Sequence, residues 1–167
     1  MSGEKKNDTI NTQYEILLKE LEIEKEYYNY EHERASIIDN KANVVFGFAI
    51  AVLGLSFFNA NFRIEFDNNL SLTIYNFVPL LVFVNFVMII VWFLKIYFAK
   101  SYKVIHTKDG ANTNYLDIYI KDLLKEYREI NLENCIINDN KVKNLNRLNI
   151  AFIFLISLLI LLRVIIK

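Results

Sequence analysis

The chain has 167 residues, 54% of them hydrophobic, and a formal net charge of zero. Zero net charge removes the electrostatic footprint of a nucleic-acid-binding protein, and a single cysteine, Cys135, excludes an internal disulfide framework. Charged residues are 23%, close to a globular average, so the apolar excess must be segregated rather than diluted.

The first ~40 residues are rich in Lys, Glu, Asn and Tyr, the wrong order for a secretory signal, so membrane insertion is expected through internal apolar runs. The stretch TQYEILLKELEIEKEYYNYEHERASIID contains no Pro or Gly. Tyr14, Leu17, Leu18, Leu21 and Tyr28 recur at helical spacing, and Ala35 and Ile38 continue the stripe. One long helix is expected from about Asp8 to Asp39, capped by Thr9 or Asn11 and continuous with the next element.

Ala42–Phe62 carries no charge and is long enough for a helix crossing a ~30 Å hydrocarbon layer. FRIEFDNNLSLTI then alternates apolar and polar residues around Asp67-Asn68-Asn69, which predicts a short β-hairpin over 62–74. A second span is expected at Asn76–Phe98, with Pro79 in its first turns. His106 to Asn112 reads as a loop. Leu116, Ile120, Leu123, Tyr127 and Ile130 mark the next helix, capped by Asn112 or Thr113. Val142, Leu145 and Leu148 then form one face, with Lys141, Lys143, Asn144 and Arg147 on the rest. Leu148–Leu162 is short for a span, but it is apolar on every side, and Arg163 near its end can snorkel to the headgroups.

Six lysines and arginines precede the first span, only Arg63 lies between the first two, and ten lie in Lys95–Arg147. This asymmetry places the N-terminus and the 101–147 insert in the cytosol, with the hairpin and C-terminus outside. The expected fold is thus an all-α membrane protein. Its parts are a cytoplasmic helix (1–40), two transmembrane helices with a short extracytoplasmic β-hairpin (41–100), a cytoplasmic helical insert (101–147) and a third transmembrane helix (148–167).

No catalytic, metal-binding or phosphate-loop motif is present, and His32 within EHER reads as a solvated face, so neither an enzyme nor a cofactor or metal site is expected. No charge falls at mid-membrane, which disfavours a proton relay. Asn85, near the middle of span two, reads as interhelical glue or, more sharply, as a pore-lining amide. Gly47, Ala51 and Gly54 form a small-residue stripe suited to helix packing, within one subunit or between subunits.

The junction before the first span packs Arg34, Asp39 and Lys41 together. In the plainer reading these bases mark the membrane interface and Asp39 pairs with one of them. In the sharper reading they join Lys143, Asn144 and Arg147 at the same depth. Bases, amides and a carboxylate suit a phosphorylated ligand, with anionic lipid headgroups as the rival.

The signature IIDNKANVVFGF, with Asp39-x-Lys41-Ala42, resembles that of the Pycsar effector membrane proteins of bacterial antiphage defence, and NKVKNLNRLNIAF resembles their Lys-rich approach to the last span. The resemblance covers most of Tyr14–Leu162, chiefly as architecture. It implies an effector of the bacterial inner membrane that responds to cyclic UMP or cyclic CMP from a companion cyclase. Such an effector assembles as a homo-oligomer and impairs the membrane in abortive infection. The competing expectation is a constitutive scaffold membrane protein that binds a protein partner through its cytoplasmic helices.

Overall fold

The computed structural model describes residues 2–59, 70–99, 103–105 and 116–165. They form three helices: α1 (Ser2–Asn59), α2 (Leu70–Tyr97) and α3 (Leu116–Ile165). Among the described residues there is no strand. The helix α1 runs unbroken for 58 residues, as the absence of proline permits. It begins at Ser2 rather than near Asp8, so Thr9 and Asn11 lie inside it and do not cap it. Residues 4–11 contain no Pro or Gly to stop a helix once nucleated.

The hairpin expectation is corrected in part. Leu70, Leu72 and Ile74, its second arm, belong to α2; its turn and first arm lie outside the described residues. Alternation over so short an apolar segment does not distinguish strand from helix. In lipid, a helix satisfies its backbone internally, whereas an isolated pair of strands leaves edges exposed. The earlier start also moves Pro79 into the interior of α2. The carbonyl of Tyr75 therefore loses its usual N–H donor, an interruption that membrane helices tolerate. The caps suggested at Asn112 and Thr113 lie outside the described residues.

The chain divides into two units, Met1–Ser36 with Lys100–Asp139, and Ile37–Ala99 with Asn140–Lys167. The first is a polar unit. Its apolar core is small: Leu21, Ile120 and Leu124, packed by Tyr14, Leu17, Tyr119, Leu123 and Tyr127. Tyr28 meets Tyr127 edge to face at 6.0 Å. Beyond that core, polar groups hold the segments of α1 and α3. Arg128 donates to Glu20 and Glu24 at 3.0 and 3.2 Å. Asn131 Nδ2 donates to the Glu24 carbonyl and carboxylate at 3.0 and 2.8 Å. Asn138 Nδ2 repeats the arrangement on Glu31 at 2.8 and 2.6 Å. Paired residue numbers rise together, so these segments run parallel. The Asn–Glu clasp recurs after seven residues on both helices, about two turns.

The second unit is apolar. Ala42, Ala49, Ile89, Leu148 and Leu155 are almost fully buried, with Ile38, Leu53, Val82, Ile96, Leu145 and Leu158 around them. Alanines on the inward face of α1 let the neighbouring helices come close. Phe46 stacks on Phe93 with ring centroids 4.1 Å apart. Each buried Leu or Ile contributes about 1.5–3 kcal/mol against water. Against lipid that term fades, and close packing carries the association instead.

All three helices are long and apolar enough to cross a membrane, within Gln13–Ser56, Phe77–Tyr97 and Ile118–Arg163. At most 33% of the most apolar window of any of them is buried inside the protein. Phe48, Phe83, Ile150 and Ile153 are each more than half exposed. An apolar surface this extensive suits lipid rather than water.

Candidate functional site

The structure gives each of the six junction residues a distinct environment. Arg34 belongs to the polar unit. It contacts Asp139 at 2.7 Å and Glu31 at 3.3 Å. The hydrogen bond to Asp139, with the charges of Glu31 and Asp139, pushes its already high pKa further up despite desolvation. Glu31 itself is 1% exposed. In the same unit the Tyr27 phenol is pushed from 10.0 to about 12, chiefly by a hydrogen bond with Cys135 and then by burial. Both groups lie outside the uncharged stretches.

Asp39 belongs to the apolar unit and its partner is neither Arg34 nor Lys41, which corrects the plainer reading of the junction. Both carboxylate oxygens accept from Lys141 Nζ at 2.9 Å. Lys141 is 8% exposed, so it lies on the inward face of α3 with Leu145 and Leu148. Its position in the sequence suggested the opposite face. The signal that could have found it is spacing: Asn131, Asn134, Asn138, Lys141, Leu145 and Leu148 are all buried and follow one another by alternate steps of three and four. A search for apolar stripes passes over the four polar members.

Lys41 is exposed and lines an open groove of about 380 Å³ in the apolar unit. The other lining residues are Asn40, Val44, Val45, Leu145 and Asn149. Lys41 and the two amides form its polar part, and the valines and leucine its apolar wall. Lys143 is exposed and Asn144 half-buried. Arg147 is placed differently, with its guanidinium carbon 4.7 Å from the centre of the Trp92 ring. Lys41 therefore keeps its place in a candidate site, while Arg34 and Asp39 are held by structural ion pairs. Asn40 and Asn149 join the candidate residues.

Asn85 is 7% exposed and its Oδ1 has no hydrogen-bond partner among the described residues. It points inward in the apolar unit and does not provide glue through that oxygen. The small-residue stripe faces outward. Ala51 is exposed, and among the described residues a Cβ added to Gly47 or Gly54 meets nothing within 4 Å. The stripe is therefore not a packing surface within one subunit at these glycines. Gly54→Leu is expected to leave the thermal stability of the single chain within about 0.5 kcal/mol, as for an unconstrained surface change. Cross-linked oligomers, if built on this stripe, should weaken. Scanning the variant by circular dichroism and by cross-linking in the same detergent checks both halves.

Among the described residues no group of His, Cys, Asp and Glu is arranged to hold a metal ion. The fold and these surfaces define a multi-pass membrane protein with three candidate spans. No family model, curated protein or solved structure matches the chain.

Proposed function

We propose that the protein is a nucleotide-activated membrane effector of the kind its Asp39-x-Lys41-Ala42 signature resembles. The supporting observation is the groove at Lys41. Small-ligand pockets run from about 300 to 1,000 Å³ and pair apolar walls with a few polar groups. A pyrimidine ring lies on Val44, Val45 and Leu145. The amides of Asn40 and Asn149 match its N–H and carbonyl edges, and Lys41 takes the cyclic phosphate. Lys143 and Asn144 add a cation and an amide on α3. Binding activates only if the ligand favours the active arrangement over the resting one.

Titration of the purified protein in nanodiscs with cyclic UMP, cyclic CMP and cyclic AMP tests the reading. Loss of one charge-assisted hydrogen bond to phosphate, about 1.5–3 kcal/mol, means that Lys41→Ala should weaken binding by one to two decades. A folded wild-type protein that binds none of the three nucleotides sinks the proposal. It would leave ahead a scaffold protein docking a partner, a reading favoured by the exposed Ile23, Tyr30, Leu132 and Ile136 of the polar unit. In cells, the effector reading expects depolarisation only when the cyclase is present as well.

The proposed setting is the bacterial inner membrane, with the N-terminus and residues 101–147 in the cytosol, the C-terminus outside, and several copies assembled. The Lys and Arg distribution supports this orientation. An impermeant thiol reagent added to intact cells should modify an Asn68→Cys protein and spare Cys135. The reverse labelling pattern would overturn the orientation.

A further inference from the structure

One cluster in the apolar unit lies outside the groove: Trp92 packs against the edge of the core, and two exposed cations, Lys95 and Arg147, stand on its ring. Lys95 Nζ stands 4.3 Å from the centre of the Trp92 ring, and the Arg147 guanidinium stands 4.7 Å from the same centre. One cation comes from α2 and the other from α3. Among the described residues no carboxylate pairs with either of them. The negative end of the α2 dipole offsets part of the charge on Lys95, which sits in the last turn. Arg147 has no such offset. The charged residues nearest to it on α3 are Lys141 and Lys143 on one side and Arg163 on the other. Two positive charges are thus gathered on one indole without an anion.

Their depth is also informative. Lys95 closes the apolar run of α2, and Arg147 immediately precedes Leu148–Leu162, the apolar run of α3. Trp92 is the only tryptophan in the chain, and tryptophan favours the membrane–water interface. On the same helix faces, toward the apolar side, Met88 is 47% and Ile150 68% exposed. A cationic, aromatic head continued by an open apolar wall matches a lipid with an anionic phosphate above its acyl chains.

We propose that Trp92, Lys95 and Arg147 form a binding site for the phosphate headgroup of an anionic phospholipid. The ammonium and the guanidinium supply the donors to the phosphate oxygens, and the acyl chains run along Met88 and Ile150. The site is independent of the nucleotide reading, which rests on Lys41, and either can fail without the other.

The single tryptophan is its own reporter. Indole emission, excited clear of the ten tyrosines, is followed for the full-length protein in nanodiscs of phosphatidylcholine with a rising fraction of phosphatidylglycerol. A saturable change is expected. Lys95→Gln and Arg147→Gln should each raise the phosphatidylglycerol fraction at half-saturation about fivefold, the weight of one basic residue near an anionic surface. The double variant should lose saturation. Lys125→Gln, an exposed lysine elsewhere on α3, should leave the response unchanged, and circular dichroism should show unaltered helix content in every variant. An equal response in wild type and double variant, or no response at all, would overturn the site. Saturation by inorganic phosphate in pure phosphatidylcholine discs would overturn the lipid assignment.

Discussion

Glu31→Ala is expected to destabilise the polar unit by about 3 kcal/mol, the low end of the cost of breaking a buried charged pair, because Arg34 is only partly buried and keeps Asp139. The carboxylate is almost wholly buried. It accepts from Asn138 Nδ2 at 2.6 Å and lies 3.3 Å from Arg34 Nη1. Alanine leaves a void and strips both donors of an acceptor, although Asp139 still holds Arg34. Glu31→Gln keeps the shape and one acceptor, so its cost should be smaller, about 1–3 kcal/mol. Replacing both partners, Glu31→Leu with Asn138→Leu, should recover most of the loss, because well-packed apolar groups often match a buried polar pair in stability. Thermal unfolding in detergent ranks these variants, and the rate of Cys135 modification reports opening of the same unit. A cost for Glu31→Ala below about 1 kcal/mol would show that the clasp is not a stabilising contact.

Asp39→Ala should cost about 3 kcal/mol by a related route, since it leaves the Lys141 ammonium buried without its counter-charge. The side chain of Lys141 is 9% exposed while that of Asp39 is 43% exposed. Solvent reaches the acid, which keeps the expected cost at the low end of the range for buried pairs. Lys141→Met alone should be mild, because methionine fills the same channel without a charge. The double variant Asp39→Ala with Lys141→Met should be more stable than Asp39→Ala. The cycle of four proteins then isolates the pair. The same four proteins address function. If Asp39 serves only to neutralise Lys141, the double variant should keep both its stability and its nucleotide response. If Asp39 transmits the signal or bonds a ribose hydroxyl, stability should return and the response should not.

The architecture was readable because membrane crossing depends on local properties. Ala42–Phe62 announces itself by length and lack of charge and Asn76–Phe98 by length and a single charge, Lys95, near its end, and a backbone that must satisfy itself in lipid leaves little choice but helix. The same argument, applied to Leu70–Ile74, would have removed the second arm of the hairpin. Alternation was the weaker signal there. The continuity of α1 was equally legible, since nothing in 4–59 except two glycines opposes it.

By itself the sequence determined which stretches can meet lipid as helices and that a charged junction precedes the first span, though not the start of α1 or α2. Tertiary structure alone decided which polar residues of that junction are free. Lys141 and Arg147 are neighbours in one basic segment, yet one is buried against Asp39 and the other lies on Trp92. Glu31 and Glu33 differ by two positions, and only Glu31 meets Asn138. Gly47 and Gly54 could have packed inward, but no described residue stands within 4 Å of a Cβ added to either. The physical reason is common to all three. Hydropathy and helical period are properties of one segment, whereas a polar group's partner is set by the neighbouring helix and its register, and a shift of one residue turns a side chain by roughly 100°.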